Sequence, residues 1–192
     1  MLSRWVDRDA KAAIDRYGPM GVPPDLALRI YSTRLLGGDR ALVLHGGGNT
    51  SLKTRMRDLA GDEVEVMCIK GTGSDMAAIE PASMPAVRLA PLRRLRTLDD
   101  LSDLDMLRVQ RGHLLDPMAP SPSLELLLHA FVPHRFVDHT HANAVLSLID
   151  QPSGKDLCEE VYDGRAGLVP YVRPGFGLAK TAAEVFDRNP KV

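Results

Sequence analysis

The chain has 192 residues, enough for one domain with a full hydrophobic core and short for two. Hydrophobic residues make up 44% and charged residues 26%, which places it among folded globular proteins and excludes global disorder. A formal net charge of −1 removes the electrostatic ground for nucleic acid or an anionic membrane as a partner, so an anion recognised here has to be captured by a local site. Cys68 and Cys158 are too few for a disulfide framework, and the charged N-terminus MLSRWVDRDAKAAIDRYG lacks the apolar core of a signal peptide. No run approaches ~18 apolar residues, so the reading is a reduced, cytoplasmic protein.

In chain order, an amphipathic helix is predicted from about Arg8 to Tyr17, and Pro24 opens a second that Gly37 and Gly38 close. Three β-rich runs follow, at 41–45, 50–56 and 63–70, separated by GGGN and DLAGD, and suggest an antiparallel sheet. Asp75 suits the cap of a short helical turn, and VRLAPLRRLRTL reads as extended or irregular. Helical spacing returns from Ser102, a good N-cap, to Leu115, and after a Pro-rich connection from Leu124 to Phe131. RFVDHTHA then reads as a buried strand, NAVLSLI and KDLCEEVYDG as helices, GLVPYV as a strand and FGLAKTAAEVFDRN as a helix. Strands gathered near the start with helices at both ends predict an α/β (α+β) fold in mixed layers, not regular βαβ alternation. The last predicted helix runs into DRNPKV with no closing strand, so residues 1–192 read as a single domain incomplete at its C-terminus.

The chemistry concentrates in VDHTHANAV. On a strand, residues two apart share a face, so His139 and His141 project side by side and suit one metal ion, Zn²⁺ or another divalent metal. The same pair also fits structural histidines bonded to backbone or carboxylate partners. A catalytic zinc site takes three protein ligands, so the pair is an incomplete set. Glu125 lies upstream, one helical turn before His129, where a carboxylate can serve as a further ligand or as general base, or simply as a favourable first-turn charge. HGGGNTS (45–51) and KGTGS (70–74) fit either a phosphate cradle or plain turns. There is no GxGxxG before a helix, no GxxxxGK[ST], and no GxSxG to accompany HGGG, which removes nucleotide-fold and serine-hydrolase readings.

Taken in order, GGGNTS, KGTGSDMAAIEP, PSPSLE and HTHANAV make the chain resemble the class II aldolase/adducin superfamily, most closely the aldolase part of bifunctional rhamnulose-1-phosphate aldolase/short-chain dehydrogenase proteins. The resemblance implies a central, mainly antiparallel sheet flanked by helices, and a homo-oligomer, commonly a tetramer. It implies that His139 and His141 are two of three metal histidines, that Glu125 is the catalytic acid/base, and that Gly48, Asn49, Thr72, Gly73 and Ser123 hold the phosphate of a sugar substrate. The third histidine is implied beyond His141, where this sequence has none, and Leu124 stands where many small members carry a second serine. The implied activity is zinc-dependent cleavage of a ketose 1-phosphate to dihydroxyacetone phosphate and an aldehyde. The alternatives are epimerase, dehydratase or decarboxylase chemistry on the same fold, or a non-catalytic, adducin-like interaction module.

Overall fold

From Asn49 to Arg57 the chain alternates: Asn49, Ser51 and Lys53 turn to one side of a strand, and Thr50, Leu52 and Thr54 to the other. This strand is the spine of a computed structural model that describes residues 3–45 and 47–189. The chain opens with helices α1 (Asp7–Tyr17) and α2 (Pro24–Gly37), followed by strands β1 (Asn49–Arg57), β2 (Glu63–Ile69) and β3 (Ala86–Arg88). Helices α3 (Leu89–Arg94), α4 (Asp103–Gly112) and α5 (Leu126–Phe131) lead to strand β4 (Phe136–His139), and α6 (Asn143–Ile149), α7 (Gly154–Tyr162) and α8 (Phe176–Arg188) complete the described chain. The four strands form one antiparallel sheet in the order β3-β2-β1-β4.

Each face of the sheet buries its own apolar set, giving three layers. On one side Leu52, Val66 and Cys68 pack under Tyr17 of α1 and Leu26, Ala27 and Ile30 of α2. On the other, Met67, Ile69 and Val87 meet Leu89 and Leu92 of α3, Leu126, Leu127 and Ala130 of α5, and Ala179 and Ala183 of α8. Fully burying each Leu, Ile or Val contributes about 1.5–3 kcal/mol, so both helical layers are held chiefly by this burial. The edge strand β4 is fixed from behind: buried Arg29 of α2 donates through Nη2 to the Val137 carbonyl (2.6 Å) and to Asp138 Oδ1 (2.5 Å).

The predicted layers, the first two helices, β1 and β2 are observed, and so are two predicted caps. Asp75 accepts from Ala77 N at the turn 76–78, and Ser102 accepts from Asp105 N at the start of α4. Other stretches differ. Residues 41–45 form turns, not a strand, because the Ala41 and Leu42 carbonyls receive N–H groups from Asn143 and His141 instead of a sheet neighbour. VRLAPLRRLRTL becomes β3 followed by α3 and a 3-10 turn at 95–97: Leu89 and Leu92 fall one turn apart on a buried face, and Pro91 is tolerated in the first turn. The strand in RFVDHTHA stops at His139 and is a partly exposed edge, with Phe136 49% accessible. GLVPYV forms no strand and leaves Tyr171 almost fully exposed. α5 begins at Leu126, which makes Glu125 its N-cap residue. Gly46, in the middle of the first glycine loop, and Pro190, in the closing DRNP, lie outside the described residues.

Cys68 and Cys158 are both buried free thiols, and no described helix is long and apolar enough to cross a membrane. Gly37 ends α2 flat against residues 76 and 77: a Cβ there would lie 2.3 Å from Ala77 N and 2.6 Å from Met76 Cβ. Gly37→Ala is therefore expected to destabilise the fold by about 1–3 kcal/mol through overpacking, read as a lower denaturation midpoint at unchanged m-value.

Candidate active site

Because Asn49 pairs with His139 in the β1–β4 ladder, their side chains emerge together on the α5 side of the sheet. Glu125, at the start of α5, meets them there. Its Oε2 accepts from Asn49 Nδ2 and lies 2.8 Å from His139 Nδ1. An ionised carboxylate only accepts, so Nδ1 is the nitrogen that carries a proton toward it, and in the neutral tautomer this bond selects, the lone pair sits on Nε2. That Nε2 lies 3.1 Å from His141 Nε2.

His141 stands outside the strand, so period-two geometry alone does not bring it there. Its main-chain N–H donates to the Leu42 carbonyl at 2.9 Å, which folds the segment after β4 back over the glycine loop. Gly47 leaves room for its ring, since a Cβ at that position would stand 3.2 Å from His141 Nδ1. Gly48 is more constrained: its φ is +68°, and a Cβ would come within 2.6 Å of the His139 carbonyl oxygen.

All eight residues singled out from the sequence, Gly48, Asn49, Thr72, Gly73, Ser123, Glu125, His139 and His141, line a single cleft of about 260 Å³. None of His45, His113, His129 and His134 lines it. Sequence reasoning missed Gly47, Lys70 and Pro174 as lining residues. The first two stand inside the glycine motifs, where a signal existed, and nothing local marks Pro174.

The hydrogen bonds divide the polar residues by task. Asn49 Nδ2 donates to Ser123 Oγ (3.1 Å) and to Glu125, so its amide organises the cleft from within, and its buried Oδ1 has no partner among the described residues. Ser123 Oγ also accepts from Glu125 N (3.2 Å), which leaves its hydroxyl hydrogen available to an anion. Thr72 donates its N–H to Ser121 O and its hydroxyl to Pro122 O, both at 2.9 Å, and so tethers the second glycine loop to the chain ahead of α5. Lys70 is buried, donates to the Ser74 carbonyl at 2.7 Å, and adds a cation beneath the cleft. Burial lowers its pKa, with Asp75 and Glu125 opposing.

Burial would raise the Glu125 carboxyl, but the hydrogen bond and charge of His139 and the bond from Asn49 outweigh it and hold the group down at about 2. His129, one turn on, is fully buried beneath the cleft with Nδ1 2.8 Å from Ser51 Oγ. Burial pushes its pKa down to about 3, so the ring is neutral and serves the core.

Two nitrogens bound to one zinc at 2.0–2.1 Å stand roughly 3.3 Å apart at the tetrahedral angle. The observed 3.1 Å between the two Nε2 atoms fits that spacing, and also fits a hydrogen bond between neutral rings. Glu125 on the far nitrogen of His139 is the carboxylate partner that orients metal-binding histidines. The donor set thus suits a divalent ion, although among the described residues no group of three His, Cys, Asp or Glu side chains is assembled to hold one.

A sequence-family model described as Class II Aldolase and Adducin N-terminal domain matches residues 29–192. The chain belongs to this family. The class II aldolase/adducin domain seen here is similar to the N-terminal class II aldolase domain of a conserved protein from Thermoplasma acidophilum, with a TM-score of 0.74 and 37% identity over 82% of this chain and 73% of that one. It is 41% identical over 169 residues, 88% of this chain, to the uncharacterised oxidoreductase YuxG of Bacillus subtilis (strain 168), and spans only 24% of the length of that relative.

Two outcomes follow for this class II aldolase/adducin domain. Gly48→Ala forces a side chain against the His139 carbonyl in a left-handed conformation, and an equilibrium urea titration should show a loss of about 1–3 kcal/mol. For His129, an unfolded chain takes up a proton as pH falls below its ordinary 6.5, while the folded chain does so only near 3. This residue's contribution is intact above 6.5 and is lost as pH falls from 6.5 towards 3, by up to about 1.4 kcal/mol per pH unit. Stability measured from pH 7 to 4 should fall less steeply in His129→Gln than in the wild type; parallel slopes would refute the assignment.

Proposed function

We propose that this domain is the aldolase part of a zinc-dependent aldehyde-lyase that cleaves a ketose 1-phosphate of the rhamnulose-1-phosphate type to dihydroxyacetone phosphate and an aldehyde. The observation that carries the reading is the convergence of the two imidazole Nε2 atoms, 3.1 Å apart, with Glu125 and the glycine loops in one cleft. Family membership supports lyase chemistry in general and does not by itself choose the substrate.

In this reading His139 and His141 hold a divalent ion, which supplies positive charge where negative charge develops on the ketose oxygens. The Ser123 hydroxyl and the glycine loops at Gly48 and Thr72-Gly73 hold the phosphate, and Asn49 acts by keeping Ser123 and Glu125 in position. The buried cation of Lys70 adds attraction for the same anion. Cleavage breaks the bond between the carbons α and β to the carbonyl: Glu125, ionised at rest, takes the proton of the β-hydroxyl as the aldehyde leaves, and returns it to the α carbon of the remaining three-carbon fragment. Oε2 of Glu125 is engaged by His139 and Asn49, so Oε1 is the oxygen left for that transfer. Two buried free thiols support a reducing, cytoplasmic setting, and the family resemblance supports a homotetramer.

The test is metal analysis combined with a cleavage assay on the complete protein. Wild type should retain stoichiometric zinc and release dihydroxyacetone phosphate. His139→Ala and His141→Ala should lose the metal, and Glu125→Gln should keep it while cleavage falls by about 100-fold or more. Stoichiometric zinc with no turnover of ketose 1-phosphates would sink the aldolase reading, and products that keep the carbon skeleton intact would replace it with epimerase or dehydratase chemistry.

A further inference from the structure

A second chamber opens beside the cleft. It has a volume of about 420 Å³ and shares Leu124 and Pro174 with the cleft as common walls. Gln110 of α4 lines it, is only 1% exposed, and has neither side-chain Nε2 nor Oε1 bonded to any partner among the described residues. A primary amide buried without partners costs folding free energy, and an apolar side chain of similar volume would not. Such a group in a cavity wall stands where a molecule entering the cavity can complete its hydrogen bonds.

We propose that this chamber is a subsite for the uncharged, hydroxylated carbon chain of a small-molecule substrate, with Gln110 as its hydrogen-bonding contact. A hydroxyl both donates and accepts, so it answers the amide's free N–H and its free carbonyl alike. Met106, Leu107, Leu124 and Pro174 present carbon to the rest of the space, which favours an apolar chain end. An ionic group is disfavoured, because the two charged residues at the chamber, Arg173 and Asp103, are exposed and already face each other at 3.3 Å. Leu124 follows Ser123 and precedes Glu125, so a ligand anchored in the cleft enters the chamber by passing over its side chain. This assignment rests on the reading that the cleft takes a phosphorylated sugar, and it places the length and polarity of the non-phosphorylated chain under the control of α4.

The experiment titrates the full 192-residue chain, labelled with ¹⁵N and at its methyl groups, with propane-1,2-diol and separately with inorganic phosphate. The diol should shift the Gln110 side-chain amide signals, assigned by their absence in Gln110→Leu, along a saturable curve, together with the Leu107 and Leu124 methyls. Gln110→Leu, and independently Leu107→Trp, which adds bulk to the chamber wall and keeps the Gln110 amide, should weaken diol binding about tenfold or more and leave the phosphate response unchanged. Unsaturable shifts in the wild type, or equal diol affinity in Gln110→Leu, would overturn the proposal. Phosphate that leaves the cleft unperturbed while the diol still saturates Gln110 would strike the phosphate reading of the cleft and leave the chamber's assignment standing.

Discussion

The site depends on one cross-strand pair. Asn49 opposite His139 at the end of the β1–β4 ladder puts a buried amide beside an imidazole, and that amide reaches both Ser123 and Glu125. One short side chain therefore ties together the sheet edge, the connection ahead of α5 and the N-cap residue of α5. The burial of Asn49 and Ser123 shields these bonds from water and strengthens them, and it also makes the cluster intolerant of partial assembly. Glu125 in turn fixes which nitrogen of His139 carries the proton, so the chemistry presented to the cleft at Nε2 is set by a residue that faces the other side of the ring.

The sequence was most informative where local physics decides. Alternation made β1 and β2 legible, Pro24 and Gly37 marked the ends of α2, and Ser102 and Asp75 acted as the caps their side chains suggest. It failed where tertiary partners decide. The apolar run at 41–45 has no strand beside it, and its carbonyls are taken by His141 and Asn143 from the far side of β4. A stretch containing a proline and four arginines reads as extended or irregular, which its first two residues match in β3, yet Leu89 and Leu92 found a buried face, and a helix formed around them. GLVPYV has strand composition and no neighbouring edge to join.

The candidate site was legible in its membership and less so in its wiring. Motif order picked out eight residues that do meet in one cleft. What spacing could not convey is that Asn49 spends its amide internally, that Thr72 tethers a loop to the chain ahead of α5, and that Glu125 sits behind His139. The strand argument for the two histidines reached the right neighbours through a wrong premise, since β4 ends at His139 and a backbone bond to Leu42 brings His141 back. Gln110 gave no signal at all, because a glutamine in an amphipathic helix reads as surface until its neighbours are known.

The two backbone bonds from His141 and Asn143 to Leu42 and Ala41 have a mechanical consequence. They clip the strand-exit segment to the chain that leads into the glycine loop, so the second histidine and that loop travel as one body. Whatever free energy this clip passes from one end of the cleft to the other is equal in both directions, as thermodynamic linkage requires.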